Sequence, residues 1–319
     1  MKTKTTARPK QEMDLMKLIA QFDTDDKCRA ALEQLRWPDG VQCIRCASDK
    51  ISRAQKRNQF ECDSCGYHFS VTAGTIFHDS HLPLRKWFIA TYLICESKKG
   101  ISALQLKRTL GVAYKTAWYL CHRIREAVKD ADTSLLSGVV ECDETYVGGK
   151  AKNMHKDVRA RKIQGRGASG KAMVLGAIER GGQVRLDAGV TADRETLRSF
   201  ILAKLADETT AIMTDDLPAY DGCGDANTRH ESVNHSRMEW VRGDVHTNTM
   251  EGVWSLFKRS VIGSYHQIST KHLDRYLDEL EFRFNNRNNP YLFRDAILRL
   301  IGSTNLRYDN LIAKDAKLG

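Results

Sequence analysis

No stretch of this sequence is apolar over the roughly 18 residues that a membrane-spanning helix needs. The basic start, MKTKTTARPK, is not followed by the apolar segment of a secretory signal. No internal repeat of fixed period is visible, which argues against a repeat architecture. We therefore expect a cytoplasmic protein with no membrane segment.

The charge balance of the chain is basic. Among its 319 residues, Lys and Arg number 50 against 40 acids, which gives a net charge of +10 and a pI near 9.1. This excess indicates a polyanionic partner, because Lys and Arg gain affinity by releasing counterions from phosphates. A soluble protein that is merely basic is the alternative. The length allows two or three domains.

Four of the nine cysteines form two CxxC pairs, Cys43 with Cys46 and Cys62 with Cys65, separated by fifteen residues. This spacing is typical of a zinc ribbon, in which four thiolates close a tetrahedral shell around one ion. The segment 41–72 is too short to form its own core, so the bound ion would stabilise it. The alternative is chance cysteines or redox thiols. We expect one structural Zn²⁺, and we expect the other five cysteines to be small buried apolar residues.

Residues 100–128 show two helical segments separated by a short turn. Ser102 can cap the first helix, which ends near Leu110, and Gly111 supplies the turn before a second helix from Tyr114. This arrangement is typical of a helix-turn-helix, whose second helix faces base edges in a major groove; the alternative is an ordinary helical hairpin with a solvated basic face. The expected DNA-binding side chains are Lys115, Thr116, Tyr119 and Arg123.

After a segment at 130–138 with the composition of a linker, the pattern changes to strands alternating with helices. Strand, hairpin, helix, strand, helix is the order of an RNase H-like α/β domain, although many mixed sheets share it. The expected elements are a strand at 139–142, a hairpin of 172–178 and 183–190, a helix at 193–206, a strand at 211–214, and helices at 247–261 and 270–286.

Three acids stand where strand and helix ends would gather them. Asp143 and Asp215 each follow an expected strand, and Glu251 lies in the first turns of the helix from 247. Lys258 lies seven residues, or two helical turns, after Glu251, so the two share one face. Each acid taken alone could equally be a solvated surface residue or a helix cap.

Together these residues point to phosphodiester chemistry. Cleavage needs a deprotonated oxygen nucleophile and neutralisation of the charge that develops on the phosphate, and two Mg²⁺ ions about 4 Å apart supply both. Such ions prefer carboxylate oxygens, and Mn²⁺ can replace Mg²⁺. We expect Asp143 to bridge both ions, Asp215 and Glu251 to complete one side each, and Lys258 to contact a substrate phosphate.

Several longer segments are more specific: FSVTAGTIFHDSHLPLRKW, GISALQLKRTLGVAYKTAW, DETYVGGK, MTDDLPAY and VNHSRMEWVRGDVHTNTMEGVWSLFKR. From about residue 37 to 289 they resemble the ISXO-like family of insertion-sequence transposases. The resemblance implies a DDE domain with Asp143 and Asp215 as its first two members. The third member in this family follows one of two patterns, Glu or Asn, each followed by a basic residue.

Both candidates for the third position occur here, Glu251 and Asn248, one helical turn apart. We prefer Glu251, because a carboxylate is the better Mg²⁺ ligand and its step to Lys258 is two turns. Asn248 would then orient a ligand or the scissile phosphate.

The expected architecture is a multidomain α/β chain, with a zinc ribbon and helix-turn-helix followed by an RNase H-like mixed α/β catalytic domain. We expect a transposase that cleaves and joins double-stranded DNA at the ends of its own insertion sequence, acting on terminal repeats and target DNA as a homodimer or higher multimer. The alternatives are a DNA-binding regulator derived from a transposase, without catalysis, and a structure-selective nuclease. The expected domains are an N-terminal helical segment (1–40), the ribbon (41–72), the helix-turn-helix (83–130), the DDE domain (138–300) and a C-terminal tail (301–319).

Overall fold

The computed structural model divides the chain into two compact units. One is discontinuous in sequence and comprises Met1–Lys129 with Asn288–Gly319, whereas the other is the continuous segment Asp130–Arg287. Among the helices of the described residues, none combines the length and the hydropathy of a membrane-spanning segment. The residues that the structure describes are 12–54, 57–129, 134–149, 154–163, 170–189, 191, 193–220, 222–223, 228–233 and 241–313.

The discontinuous unit begins with two short helices and a small sheet. Helices α1 (Leu15–Gln21) and α2 (Asp25–Arg36) are capped by side-chain oxygens that accept hydrogen bonds from first-turn N–H groups. Three antiparallel strands follow in the order β1-β2-β3, where aromatic rings supply most of the small core. The strands are β1 (Ile51–Ala54), β2 (Gln59–Cys62) and β3 (His68–Phe69).

Three helices follow the ribbon: α3 (Leu84–Glu96), α4 (Ala103–Leu110) and α5 (Tyr114–Val128). The hydroxyl of Ser102 accepts from the N–H of Gln105 at 3.0 Å and caps α4. Gly111 ends α4 with φ of 61°, a left-handed conformation that glycine adopts without strain. α4 and α5 are therefore two helices joined by a short glycine turn. That this pair is a DNA-binding helix-turn-helix stays a prediction.

A five-stranded mixed sheet organises the continuous unit. Its order is β6-β5-β4-β7-β8, with β6, β5 and β4 antiparallel and β4, β7 and β8 parallel. This sheet agrees with the RNase H-like expectation, including the hairpin of β5 and β6. The strands are β4 (Leu136–Val147), β5 (Ala172–Glu179), β6 (Val184–Gly189), β7 (Leu205–Asp215) and β8 (Arg229–Val233).

Helices cover both faces of this sheet. α7 packs on the face that carries Leu175, while α8 and α9 pack on the face that carries Val174, as alternation along β5 requires. The side chain of Asp193 accepts from the N–H of Thr196 and caps α7. The helices of the unit are α6 (Lys156–Lys162), α7 (Arg194–Lys204), α8 (Asn248–Ser260) and α9 (Leu273–Asn285).

The last two helices, α10 (Leu292–Gly302) and α11 (Tyr308–Ile312), belong to the discontinuous unit. Phe293 of α10 packs its ring against those of Phe22 and Phe88, with centroids 6.2 and 5.8 Å away. The expected end of the catalytic domain at residue 300 is thus displaced to Arg287, because the apolar face of α10 is buried against helices from the start of the chain.

Candidate zinc site and candidate active site

The four cysteines of the two CxxC pairs converge on one point. Their sulfur atoms all lie within 4.8 Å of one another, with Cys43 Sγ 3.7 Å from Cys65 Sγ and Cys46 Sγ 3.6 Å from Cys62 Sγ. A tetrahedral zinc with Zn–S bonds of about 2.3 Å requires sulfurs about 3.8 Å apart. The donor set therefore fits a structural zinc ion with a closed shell.

Backbone turns hold these sulfurs in place. The N–H of Ala47 donates to the carbonyl of Cys43 at 2.9 Å, and the N–H of Gly66 donates to that of Cys62 at 2.8 Å. Each turn closes right after its CxxC pair and points two sulfurs the same way. Of the other cysteines, Cys223 is half-buried, and the four that are buried as expected are Cys28, Cys95, Cys121 and Cys142.

Asp143 and Asp215 lie side by side on adjacent parallel strands. The register of β4 and β7 pairs Glu141 with Met213, so the residues two further along each strand stand at the same level. One oxygen of each aspartate and one of Glu144 all lie within 4.8 Å of one another. The structure therefore brings together the two aspartates singled out in the sequence.

The position of Asp143 differs from the expectation in one respect. β4 does not end at residue 142 but continues to Val147, which pairs with Ala172 of β5. Asp143 therefore lies inside a strand with neighbours on both sides. Its backbone pairs with Gly176 of β5, which fixes its carboxylate more firmly than a loop would.

Glu144 is the member of the cluster that the sequence analysis missed. Alternation along a strand sends the side chains of residues 143 and 144 to opposite faces, so the sequence alone does not indicate that Glu144 approaches Asp143. Its Oε2 accepts from the hydroxyl of Tyr220 at 3.0 Å, yet its carboxylate still reaches those of Asp143 and Asp215. The adjacent acid in the DETYVGGK segment was the signal available in the sequence.

The three carboxylates alter each other's titration. Burial, followed by the negative charges of Glu144 and Asp215, raises the pKa of Asp143 to about 7. Hydrogen bonds from the Glu144 N–H at 2.9 Å and from Trp254 Nε1 at 3.0 Å oppose that rise. Burial and the charge of Asp215 raise the pKa of Glu144 as well. A divalent cation would offset this repulsion, and a set of carboxylate oxygens fits Mg²⁺ or Mn²⁺.

Helix α8 forms the second wall of the site. Glu251 and Lys258 are exposed on α8 and, with Asp143 and Glu144, line an open cleft of about 500 Å³. The structure thus brings Glu251 and Lys258 to the cleft of Asp143. The described residues that line the cleft do not include Asp215. One of its carboxylate oxygens nevertheless lies within 4.8 Å of oxygens of Asp143 and Glu144, which do line the cleft.

Asn248, the alternative third member, is the first residue of α8. It is exposed and is not among the described residues that line this cleft. The geometry accordingly favours Glu251, one helical turn further along the face that carries Lys258.

The predicted DNA-reading face of α5 needs a correction. Arg123 is only 3% exposed, and its guanidinium donates to the carbonyl oxygens of Ile76 and His78 and to Asn305 Oδ1. Arg123 therefore joins segments of the discontinuous unit and is not presented to a major groove. The expectation failed because the partners that bury this face are distant in sequence.

The other three predicted DNA-binding residues differ in how exposed they are. The Tyr119 hydroxyl donates to the carbonyl of Leu306, and its ring packs edge-on against Tyr308, so Tyr119 is also held by the unit itself. Thr116 is half-buried, and Lys115 is exposed with its Nζ 4.3 Å from the centre of the Tyr308 ring. Only the first turn of α5 therefore keeps the exposure that the DNA-binding prediction requires.

The fold and the site define a zinc-ribbon protein whose mixed-sheet domain carries an acidic cluster, as in DDE transposases. Residues 135–285 match the ISXO2-like transposase domain, and residues 23–68 match the transposase zinc-ribbon domain. An uncharacterized protein in transposable element ISH50 of Halobacterium salinarum is 33% identical over 276 residues, covering 83% of this chain and 92% of that protein. The chain therefore belongs to the ISXO2-like family of insertion-sequence transposases.

Likenesses among solved structures are more distant. A chain of the simian T-cell lymphotropic virus intasome, in complex with PP2A regulatory subunit B56 gamma, is 12% identical with a TM-score of 0.27, over 72% of this chain and 75% of its own. A chain of a pre-cleavage Mos1 transpososome is 11% identical with a TM-score of 0.24, over 66% and 77%. Likenesses at this level do not define the fold.

Proposed function

We propose that this transposase cleaves and joins DNA strands at the ends of its own insertion sequence, using divalent cations held by its acidic cluster. The observation that carries the proposal is the placement of Asp143 and Asp215 side by side on β4 and β7, with Glu144 in reach. Carboxylates seldom gather in a half-buried site without a function, because each raises the cost of ionising the others.

The side chains divide the work as follows. Asp143 and Asp215 would hold the cations, with Glu251 as the third ligand from across the cleft. The cations would activate water or a 3′-OH and neutralise charge on the reacting phosphate. Lys258 would bind a substrate phosphate, because it is an exposed cation on the same wall. Asn248 would orient a ligand or the scissile phosphate from the start of α8.

Recognition of DNA would rest on the discontinuous unit. The zinc ribbon and the exposed first turn of α5, with Lys115 and Thr116, would bind the terminal repeats, and the net charge of +10 favours such a partner. Joining two ends to one target requires more than one active site, so we propose a homodimer or higher multimer on double-stranded DNA.

Substitution of each aspartate tests the proposal. With a duplex carrying the element's end and either Mg²⁺ or Mn²⁺, Asp143→Asn and Asp215→Asn should lose cleavage and joining but retain end binding. Asp216→Asn is the matched control, because Asp216 is the adjacent exposed acid, and it should cleave as the wild type does. Cleavage by both aspartate variants at the wild-type rate would contradict the proposal. A wild-type protein that binds ends without cleaving them would instead support the regulator.

A further inference from the structure

Glu141 is a fully buried acid on β4, two residues before Asp143 and therefore on the same face of the sheet. Its Oε2 accepts from the backbone N–H groups of Thr249 at 2.8 Å and Met250 at 3.0 Å, and its Oε1 accepts from the Thr249 hydroxyl at 2.8 Å. The first N–H groups of a helix have no partner within it, and a negative charge there is favoured by the helix dipole. Glu141 thus binds the first turn of α8.

Arg180 completes this arrangement from the end of β5. Its Nε donates to Glu141 Oε1 at 2.8 Å, and its Nη2 donates to the carbonyl of His246 at 3.0 Å, just before α8 begins. Nδ1 of His246 lies 3.2 Å from both Glu141 Oε1 and Arg180 Nη2. The buried charge of Glu141 is therefore paired and hydrogen-bonded, and the same contacts hold the chain that enters the helix.

A second bond ties α8 to β4 further along. Trp254 Nε1 donates to Asp143 Oδ2 at 3.0 Å. The four residues from Met250 to Trp254 advance a helix by about 6 Å, and the two from Glu141 to Asp143 advance a strand by about 6.7 Å. Because the steps match, α8 is bound to β4 at two successive points, and it cannot turn or slide without breaking one of them.

We infer that Glu141 is a positioning residue, which fixes the first turn of α8 and so aims Glu251 and Lys258 into the cleft beside Asp143. The inference rests on the proposed function, since it assigns Glu141 a part in the same reaction. Without the carboxylate, Arg180 and the first-turn N–H groups lose their common acceptor. The first turn of α8 then loses its hydrogen bonds to β4, whereas the bond from Trp254 to Asp143 and the apolar packing of α8 on the sheet remain. The strands that carry Asp143 and Asp215 keep their ladder.

Glu281 provides a matched control for a purely structural role. It too is a buried acid paired with a buried arginine, since its Oε1 lies 3.3 Å from Arg185 Nη1. Its Oε2 accepts from the N–H of Leu186 at 2.9 Å, which fastens α9 to β6. Glu281→Gln therefore removes a comparable buried charge from α9, whose hydrogen bond and ion pair through Glu281 are to β6.

The experiment compares Glu141→Gln and Glu281→Gln in the full chain, at a temperature where both variants are folded. In single-turnover reactions with saturating end DNA and Mg²⁺, Glu141→Gln should slow cleavage about 10-fold or more, because small misplacements of reacting groups are costly. Its affinity for the end should stay unchanged, and hydrogen exchange at the amides of Thr249 and Met250 should quicken. Glu281→Gln should lower the melting temperature yet cleave within about 2-fold of the wild type, because its contacts lie away from the cleft.

Each other result has a defined meaning. A Glu141→Gln variant that cleaves at the wild-type rate, or equal losses in both variants, would overturn the positioning role while leaving the proposed function intact. A wild-type protein that binds but never cleaves would overturn both. Should Glu141→Gln not fold, Glu141→Asp takes its place, since it keeps the charge and withdraws it from α8; slower cleavage with unchanged end binding is expected, and an unchanged rate would overturn the inference.

Discussion

Gly176 of β5 pairs directly with Asp143 of β4, and its lack of a side chain leaves room for Trp254. A Cβ on Gly176 would lie 2.4 Å from Met250 Cε and 2.7 Å from the ring of Trp254. The glycine therefore lets α8 approach the sheet at the level of the acidic cluster. This close approach permits the hydrogen bond from Trp254 to Asp143.

Gly176→Ala should accordingly destabilise the Asp130–Arg287 unit. The added methyl group overlaps two buried side chains of α8, and overpacking of this kind costs about 1–3 kcal/mol. It should also slow cleavage, because the helix that carries Glu251 and Lys258 has to move outward. Chemical denaturation measures the first effect, and single-turnover cleavage the second.

Gly252→Ala is the control for that change. Gly252 is a residue of α8 itself, and a Cβ added to it would have no atom within 4 Å apart from those of its own stretch of helix. Replacing an exposed helical glycine with alanine should stabilise the protein by up to about 1 kcal/mol. A Gly176→Ala variant as stable as wild type would show that α8 is not closely packed at this point.

The raised pKa of Asp143 makes the stability of the protein depend on pH when Mg²⁺ is absent. Between about pH 4 and 7 the unfolded chain has released the proton of this carboxyl while the folded chain retains it, so stability falls as the pH rises through that window. Asp143→Asn removes the titration. We expect the variant to melt a few degrees above wild type at pH 8, with the gap closing toward pH 4.

Thermal unfolding in buffer without added Mg²⁺ measures this effect, and no chelator is used, so that zinc is retained. Added Mg²⁺ should raise the melting temperature of wild type at pH 8 more than that of Asp143→Asn, because a ligand stabilises only a state that binds it. Parallel curves for the two proteins across the whole pH range would contradict the prediction.

The third member of the catalytic set can be decided by comparing three variants. We expect Glu251→Gln to be as severe in cleavage as the aspartate changes, because Glu251 lines the cleft of Asp143. Asn248→Ala should lower the cleavage rate less. A third variant, Glu144→Gln, tests the additional acid of the cluster: loss of the Glu144 carboxylate should weaken Mn²⁺ binding measured by calorimetry. An inactive Asn248→Ala beside an active Glu251→Gln would assign an Asp-Asp-Asn set instead.

Zinc should be integral to the ribbon. Elemental analysis should find about one zinc per chain, and Cys62→Ser should unfold the ribbon while sparing the Asp130–Arg287 unit, because so small a segment depends on its ion. Cys28→Ala changes a buried cysteine outside the metal site, and it should retain zinc. Metal-free wild type with a folded ribbon would refute the prediction.

Arg123 and Lys115 should respond differently to removal. Arg123→Ala leaves buried carbonyl oxygens without their donor, so it should lower stability by about 1–3 kcal/mol or more. Lys115→Ala should leave the melting temperature unchanged and weaken binding to the element's end, by about 1–3 kcal/mol if Lys115 reads a guanine. An equal loss on unrelated DNA would mark Lys115 as a phosphate contact.

The structural features that could be predicted from the sequence are those set by residues close together along the chain. The CxxC spacing, the Ser102 cap, the Gly111 turn and the hairpin of β5 and β6 are local features, and all of them occur in the structure. Asp215 could be placed because it ends an apolar strand run. Asp143 could be placed near it because it too follows an expected strand, and the family resemblance implies the same pair.

What the sequence did not predict depends on distant parts of the chain. Arg123 was read as exposed, although its acceptor Asn305 lies 182 residues away and belongs to a segment expected to be a tail. Glu141 gave no signal, because a buried acid is recognised only once Arg180 and the start of α8 surround it. Helix periodicity marks which residues share a face but does not show what covers that face.

The division of the chain into a continuous and a discontinuous unit determines the order in which the two units can complete their folding during synthesis on the ribosome. The segment Asp130–Arg287 is complete, and free to form its sheet, before Phe293 has been made. The rings of Phe22 and Phe88 are translated first, but their packing against Phe293 cannot form until that residue has been made. A nascent chain that stops near residue 287 would therefore contain the whole continuous unit and an incomplete discontinuous unit. A stop codon there would damage the packing of the N-terminal helices, although it lies far from them in sequence.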